Sequence, residues 1–325
     1  MQLLLGLLLL AGILVSSVCQ PSRAQELYPN KAITLVVPVP PGGAADFIAR
    51  LLGQKLSDSL GQPVIISNRS GASGTIASDN VAKSAPDGYT LLLNSITTHG
   101  IGPHLYANLP YDPVQDFAPI ALVADLPLIM TIYANHSMKS VTEVVGYARA
   151  NPGKLSFASS GNGGAPHLAG ELFKIVNGID MLHVPYRGSG PAVIDVAAGR
   201  VDIMFDAAPS LLGMIEGSKL RPLAAASAGR LAILPDVSTF DELGMKGMEI
   251  SLWYGFVAPA KTSPAIIARL NAELQAILKM PDLQKSFAKQ GAAVTFGSPQ
   301  DYAAFMQTES QRWGVVVRKN NIKID

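Results

Sequence analysis

Three polar stretches carry the residues that could do chemistry, and all three suit holding an anion better than breaking a bond. The first is Pro41-Gly42-Gly43-Ala44, followed by Asp46, where an apolar strand runs through a Pro-rich corner into a helix. Gly42 and Gly43 let the backbone turn sharply and let a ligand come close. The helix behind them has free N–H groups at its first turn, and these favour a negative group. The second is Ser159-Ser160-Gly161-Asn162-Gly163-Gly164, which offers hydroxyls, an amide and flexible backbone N–H groups ahead of another helix. The third is Tyr186-Arg187-Gly188, with a phenol and a guanidinium. Arg187 pairs with a carboxylate or sits on the surface; both readings stay open. Asp206, after an apolar strand, either accepts a ligand amine or hydroxyl or caps the next segment.

Other chemistries lack their residues. His99, His104, His136, His167 and His183 are scattered, with no zinc-binding spacing. No Gly-x-Ser-x-Gly elbow surrounds a serine, and there is no Walker loop. A dinucleotide fingerprint starting at Gly161 and Gly163 needs Gly or Ala at position 166, where Pro166 stands. The net charge of +1 gives no electrostatic case for nucleic acid or an anionic membrane surface. Neither a cofactor nor a metal is expected.

The elements that must position these residues alternate. Strand 33–37, helix 45–60, strand 63–67, helix 75–84 and strand 89–93 make a βαβαβ unit, the sign of a parallel sheet with helices on its faces. Ligands bind such sheets at the carboxyl ends of strands. Those ends carry Gly42 and Gly43, then Asn68, then Ser95 and Thr97. Strands are expected at 120–123 and 128–133, with Ala124-Asp125-Leu126-Pro127 as a hinge between them. A second α/β unit follows: helix 141–150, strand 155–158, helix 167–177, strand 181–184, helix 192–198, strand 203–205 and strand 221–226. The chain returns through a loop at 235–248 and a strand at 250–258. It ends with helices 264–279 and 281–290, a strand at 293–296 and a helix at 299–319. In that last helix Tyr302, Phe305, Met306 and Trp313 read as core contacts. The 325 residues suit two lobes, 25–125 with 251–325 and 126–250, with two crossings between them.

Met1 to Leu14 is almost wholly apolar and is followed by small and polar residues, the pattern of a secretory signal. Ser22-Arg23-Ala24 suits cleavage before Gln25. A lipoprotein reading would use Cys19, but Val18 is branched where a small residue is usual. Cleavage removes the one cysteine, so the mature chain can form no disulfide, and it leaves no net formal charge.

Five motifs in order carry a resemblance that spans essentially the whole mature chain: Pro38-x-x-Pro41-Gly42-Gly43-x-x-Asp46, Asn68-Arg69-x-Gly71-Ala72-x-Gly74, Leu109-Pro110-Tyr111-Asp112-Pro113-x-x-Asp116-Phe117, Ser159-Ser160-Gly161-Asn162-Gly163 with His167-Leu168-x-x-Glu171, and His183-Val184-Pro185-Tyr186-Arg187-Gly188. Together they resemble the Bug family, the TctC-like extracytoplasmic solute receptors of tripartite tricarboxylate transport. The resemblance implies an α/β periplasmic binding protein of two lobes, each a mostly parallel sheet flanked by helices. It implies a receptor rather than an enzyme; the alternative reading of the chain is a secreted α/β hydrolase or other enzyme acting on a small carboxylate, for which the nucleophile elbow and the metal set are missing. The ligand would be a di- or tricarboxylate, an acidic amino acid or an aromatic acid. Its carboxylate would be held by the loops Pro41–Asp46 and Ser159–Gly163, partly through water, while Tyr186–Gly188 and Asp206 tune the choice. The sequence departs from many relatives at Gly164-Ala165-Pro166, where Pro166 removes an N–H donor. The expected partners are the small carboxylate and a membrane transporter or sensor; the expected state is monomeric.

Overall fold

The computed structural model describes residues 28–322. The apolar N-terminal run, Cys19 and the expected cleavage point after Ala24 lie outside the described residues. β1 (Ile33–Val37), α1 (Ala44–Leu60), β2 (Val64–Asn68), α2 (Thr75–Ala82) and β3 (Thr90–Ser95) form the first strand–helix series. β1 pairs in parallel with both β2 and β3. β3 runs into a π-helical turn, Ile96–Ile101, which continues as α3 (Gly102–Leu105). Next come β4 (Phe117–Tyr133), α4 (Val141–Ala150), β5 (Ser156–Ser159), α5 (Ala165–Asn177), β6 (Leu182–Pro185), α6 (Ser189–Ala197), β7 (Ile203–Ala207), α7 (Ala208–Glu216) and β8 (Leu220–Ala225). The chain closes with β9 (Ser251–Pro259), α8 (Pro264–Leu278), α9 (Pro281–Lys289), β10 (Ala293–Val294) and α10 (Pro299–Lys319). From Lys31 on, the described residues form one compact unit.

The strands run in the order β2-β1-β3-β9-β4-β7-β5-β6, with β8 and β10 also paired to β4. Pairing is parallel within each strand–helix–strand series and antiparallel where β4 and β9 join them. β4 is the shared element. Its first part pairs with β9 and β10; its last part, from Leu128, pairs with β7 and β8.

Two strands with a hinge loop between them were the expectation for 120–133; the structure has one strand of 17 residues. The residues read as loop have ladder partners. Asp125 lies opposite Trp253 on one side and Ala293 on the other, and Pro127 lies opposite Ser251, where β9 begins. A missing N–H is tolerated at such a point because the adjacent strand is only starting. The side chains join the same two crossings: the Ser251 hydroxyl donates to the Asp125 carboxylate.

The other differences are local. α5 begins at Ala165 rather than 167 and α6 at Ser189 rather than 192, because the prolines at 166 and 191 occupy first-turn positions where no intrahelical N–H bond is made. Helix 208–216 was not anticipated; its Pro209 too sits in a first turn, where no intrahelical N–H bond is made. Strand 293–296 is two residues long. α10 has the expected limits and packs as expected. Tyr302 and Trp313 are buried, each contributing on the order of 1.5–3 kcal/mol or more of burial. Gly255 makes room for Tyr302, whose hydroxyl would lie 2.1 Å from a Cβ there. That hydroxyl donates to Asn94 Oδ1 at 2.6 Å.

Candidate functional site

The ends of β1, β3, β5, β6 and β7 face one cavity of about 120 Å³, enough for several waters or a small organic acid. The residues before and at the start of α1 line one side: Pro38, Val39, Pro40, Pro41, Gly43, Ala44 and Ala45. Ser73, Ser95, Thr97 and Thr98 extend that side. Ser160, Gly161, Gly164, Pro166, Arg187, Gly188, Ser189, Gly190, Pro191 and Asp206 form the other, and Leu252 and Tyr254 on β9 close the floor.

Three helices begin at this cavity, and each has a glycine as its N-cap: Gly43 for α1, Gly164 for α5 and Gly188 for α6. A Ser, Thr, Asp or Asn at that position would turn a side-chain oxygen onto the first-turn N–H groups. Glycine leaves them open, so positive helix ends converge on one space. Ser95 caps the turn Ile96–Ile101 in a different way, through a reciprocal pair with Thr98. Pro166 removes one donor from α5 without disturbing the helix.

The walls touch across the cavity mouth. The Asn162 carbonyl accepts from the Ser73 hydroxyl and, at 3.3 Å, from the Tyr106 hydroxyl. Gly188, at φ +106°, lies so close to Pro40 that a Cβ would approach the ring at 3.2 Å. The first turn of α1 is equally near: a Cβ on Gly43 would be 3.7 Å from Ser189 Oγ and 3.9 Å from Ser210 Oγ.

Of the residues singled out from the sequence, Pro41, Gly43, Ala44, Ser95, Thr97, Gly161, Arg187, Gly188 and Asp206 line the cavity. The others stand behind it. Gly42, at φ +97°, donates its N–H to Asp46 Oδ2 at 3.1 Å. Asp46 also accepts from Arg50 Nε at 2.9 Å and from Asn68 Nδ2 at 3.1 Å, and Asn68 reaches the Val39 carbonyl. Burial pushes the Asp46 carboxyl up, but the bonds from Arg50, Asn68 and Gly42 outweigh it and hold the group below its ordinary range. These three residues fix the shape of the Pro-rich corner. Ser159 is fully buried; its hydroxyl donates to the Gly161 carbonyl and meets His183 Nε2 at 2.7 Å. Gly163 donates to His167 Nδ1 at 3.1 Å, and the rings of His167 and His183 stack 3.9 Å apart. Tyr186 donates to Asp195 at 2.7 Å.

Asp206 is 1% exposed. Its Oδ1 accepts from the Ala207 N–H at 2.7 Å, whereas Oδ2 is buried without a hydrogen-bond partner among the described residues. Burial pushes its carboxyl up to about 6 against the pull of the nearby Ser189 and Ser210 hydroxyls and the Ala207 N–H. The adjacent Tyr254 phenol is pushed up by burial and by the Asp206 charge.

Ser160, in the polar loop singled out from the sequence, lines the cavity as well, whereas sequence reasoning missed Ser73, Thr98, Ser189, Leu252 and Tyr254. The three missed Ser and Thr hydroxyls sit inside or beside stretches already singled out. Leu252 and Tyr254 are two apart on a strand and so share a face, but nothing local says what that face meets. Among the described residues, no group of three His, Cys, Asp or Glu is placed to hold a metal ion.

The family model described as "Tripartite tricarboxylate transporter family receptor" matches residues 48–322. The chain is 38% identical to Protein BugT of Bordetella pertussis over 321 residues, 98% of each chain. Among solved structures it is similar to Rpa4515 of R. palustris with adipate (TM-score 0.89, 35% identity, covering 91% of this chain and 99% of that one). It is also similar to MatC of Rhodopseudomonas palustris with bound malate (TM-score 0.85, 33% identity, 89% and 100%).

Proposed function

Because the chain belongs to the tripartite tricarboxylate transporter receptor family, we propose that its cavity captures a small carboxylate-bearing metabolite and presents it for uptake. The family consists of two-lobed periplasmic receptors for solutes, not enzymes. The observation that carries the reading is the meeting of three glycine-capped helix starts on one cavity. Each brings uncapped N–H donors, and together they stabilise an anion without a surplus of positive side chains. The carboxylates named with Rpa4515 and MatC, adipate and malate, support the same ligand class here.

The ligand's carboxylate lies between the starts of α1 and α5, where Pro41, Gly43, Ala44, Gly161 and Gly164 meet. Gly42, Asp46, Asn68, Ser159, Asn162, Gly163 and Tyr186 act one step back, by holding the loops that present those donors. Arg187 makes no ion pair among the described residues and lines the cavity, so it is placed to meet a second acid group. One lobe comprises 25–125 with 251–325 and the other 126–250; they move about the paired crossings β4 and β9. The chain is exported by its N-terminal segment, cleaved after Ala24, and works as a monomer with a membrane transporter or sensor. No helix among the described residues is long and apolar enough to cross a membrane.

Native mass spectrometry of gently purified protein, followed by calorimetry against a panel of mono-, di- and tricarboxylates, tests the reading. The expected result is a 1:1 complex with an acid that is recovered unchanged. A folded protein that binds no carboxylate, or that returns the acid chemically altered, would overturn it.

A further inference from the structure

Resting on the carboxylate reading of the cavity, we propose that His167 is a positioning residue for the loop between β5 and α5, and that this loop receives an anion only while Nδ1 of His167 carries no proton. Capture of the ligand and uptake of that proton then exclude one another. His167 touches the loop from behind: its Nδ1 accepts the Gly163 N–H at 3.1 Å. Gly161 and Gly164, on either side of this bond in the chain, line the cavity. Between them, the Asn162 carbonyl accepts from Ser73 and Tyr106 across the cavity mouth. A change at Gly163 therefore moves both the cavity wall and the contact between the walls.

The hydrogen bonds fix where the protons are. A ring nitrogen that accepts carries no hydrogen, so His167 is neutral with its proton on Nε2. An imidazolium has a hydrogen on both nitrogens and would set one N–H against another. Gly163 is buried and sits at φ +74°, so losing its acceptor leaves a buried, unpaired donor in a tight turn, and the turn gives way. His183 behaves differently. The Ser159 hydroxyl donates to the Gly161 carbonyl at 3.0 Å, so at its 2.7 Å contact with His183 it accepts from Nε2–H. That contact survives a proton on His183. The ring of His183, stacked 3.9 Å from that of His167, holds the switching ring in place.

The surroundings keep both rings neutral in the form described. Burial, then the charges of His183 and Lys174, lower His167 to about 3; burial and Lys174 lower His183 to about 4. Glu171 Oε1 is 3.9 Å from His167 Nε2, but Glu171 is paired with Lys174, which also meets Asp180. The elements packed against α5 add little. β5 has no ionisable residue, β6 has only His183, and Asp206 on β7 lines the ligand cavity and accepts from Ala207. His99, in the turn Ile96–Ile101, packs edge-on against Phe117.

When the lobes part, the bonds from Ser73 and Tyr106 are lost and the loop leans on His167 alone at Gly163. His167 then takes up a proton nearer its ordinary 6.5, and the loop relaxes. Ligand binding restores the bond and returns that proton to solvent. The competent form is the deprotonated one, so affinity is full above about 6.5 and falls as pH drops below it.

The test is calorimetry of the parent, His167→Asn and His167→Leu at pH 7.5 and 5.5, against malate, succinate, adipate, citrate, glutamate and benzoate. Asn offers an acceptor near the position of Nδ1 but does not titrate; Leu offers none. Comparing parent with variant at each pH cancels protonation of the acid itself and of Asp206. The ratio of the parent's Kd to that of His167→Asn should rise at least about threefold from pH 7.5 to 5.5. His167→Leu should bind more weakly than His167→Asn at pH 7.5. Nitrogen-15 spectra of the unliganded parent carry the test if a variant does not fold: the Gly163 amide signal should move with the titration of the His167 ring. Parallel pH profiles in parent and His167→Asn, or a Gly163 amide that stays in place as the ring titrates, overturn the inference and leave the carboxylate reading intact. A folded parent that binds none of the six acids at pH 7.5 removes both.

Discussion

The Tyr106 phenol donates to the Asn162 carbonyl at 3.3 Å, joining the segment after α3 to the loop after β5 across the cavity mouth. The Ser73 hydroxyl reaches the same carbonyl. Neither bond belongs to the secondary structure of either side, so both exist only when the walls are together. In the lobe motion proposed above they would act as a latch on the closed form.

Loosening that latch should speed release more than it slows capture. A neutral hydrogen bond contributes about 0.5–1.5 kcal/mol net, or roughly two- to tenfold in an equilibrium constant. Ser73→Ala and Tyr106→Phe are each expected to raise the dissociation rate by about that factor, with the association rate nearly unchanged. Stopped-flow measurement with a bound acid checks this; an unchanged dissociation rate in the double variant would show that the bonds do not hold the closed form.

Gly43 and Gly42 should fail in opposite ways. A Cβ on Gly43 meets Ser189 and Ser210 at ordinary contact distance, and its backbone is extended. Gly43→Val should therefore keep the melting temperature of the unliganded protein near normal while its extra methyls fill the ligand's approach and abolish binding. Gly42 has open space but φ +97°, so Gly42→Ala should destabilise the fold by about 1–2 kcal/mol. Thermal melts paired with calorimetry separate the two; normal binding by Gly43→Val would move the site away from this helix start.

The Asp46 brace should show in stability before it shows in ligand choice. Asp46 accepts charge-assisted bonds from Arg50 and from two neutral donors, and Asp46→Ala is expected to cost about 1.5–3 kcal/mol. Its folded-state pKa is depressed, so its contribution is complete above the unfolded value, about 3.9, and fades as pH falls through the lower folded value. Urea unfolding at pH 7 and pH 3 should find the gap between parent and variant smaller at the lower pH.

The stacked histidines work in the same direction at a higher pH. Burial, aided by the charge of Lys174, lowers His183 to about 4; burial and the neighbouring His183 lower His167 to about 3. Between these values and the ordinary 6.5 the unfolded chain takes up protons that the folded chain refuses. Stability from the neutral pair is thus full above about 6.5 and declines as pH falls towards 4. Comparison with His183→Asn isolates it: the parent's advantage in urea midpoint should shrink from pH 7 to pH 4.5. A constant advantage over that range would mean that the folded and unfolded chains take up the same protons there, so that burial does not lower these histidines.

Closure should hinge on the Asp125–Ser251 pair, where β4 and β9 cross side by side. Small-angle scattering is expected to show a smaller radius of gyration with ligand than without. Asp125→Asn weakens the bond at the crossing and should change that difference more than it changes the melting temperature; identical curves with and without ligand would leave no role for hinge motion.

Much of the architecture was determined by the sequence itself. Alternating apolar runs and amphipathic stretches marked the strand–helix series, since burial of one face imposes a period that local sequence displays. The glycines at 42, 43 and 161 and the strand ends before them marked the cavity's walls, because a sharp turn into a helix needs residues of that kind. What the sequence left undecided was which atom of each polar residue faces the ligand. Asp46, Asn68 and Ser159 looked like ligand contacts because they are polar and lie in the right loops. In the folded chain, their hydrogen bonds go to Gly42, Val39 and Gly161, partners that only the turn brings within reach. Asp206 stood open between cap and contact, and tertiary packing divided the roles between its two oxygens. The long β4 was hidden for the same reason. Pro127 and Asp125 look like a loop in isolation, and only a β9 arriving from more than a hundred residues away gives their backbone its partners. Local periodicity reports which face is buried; long-range pairing decides what it is buried against.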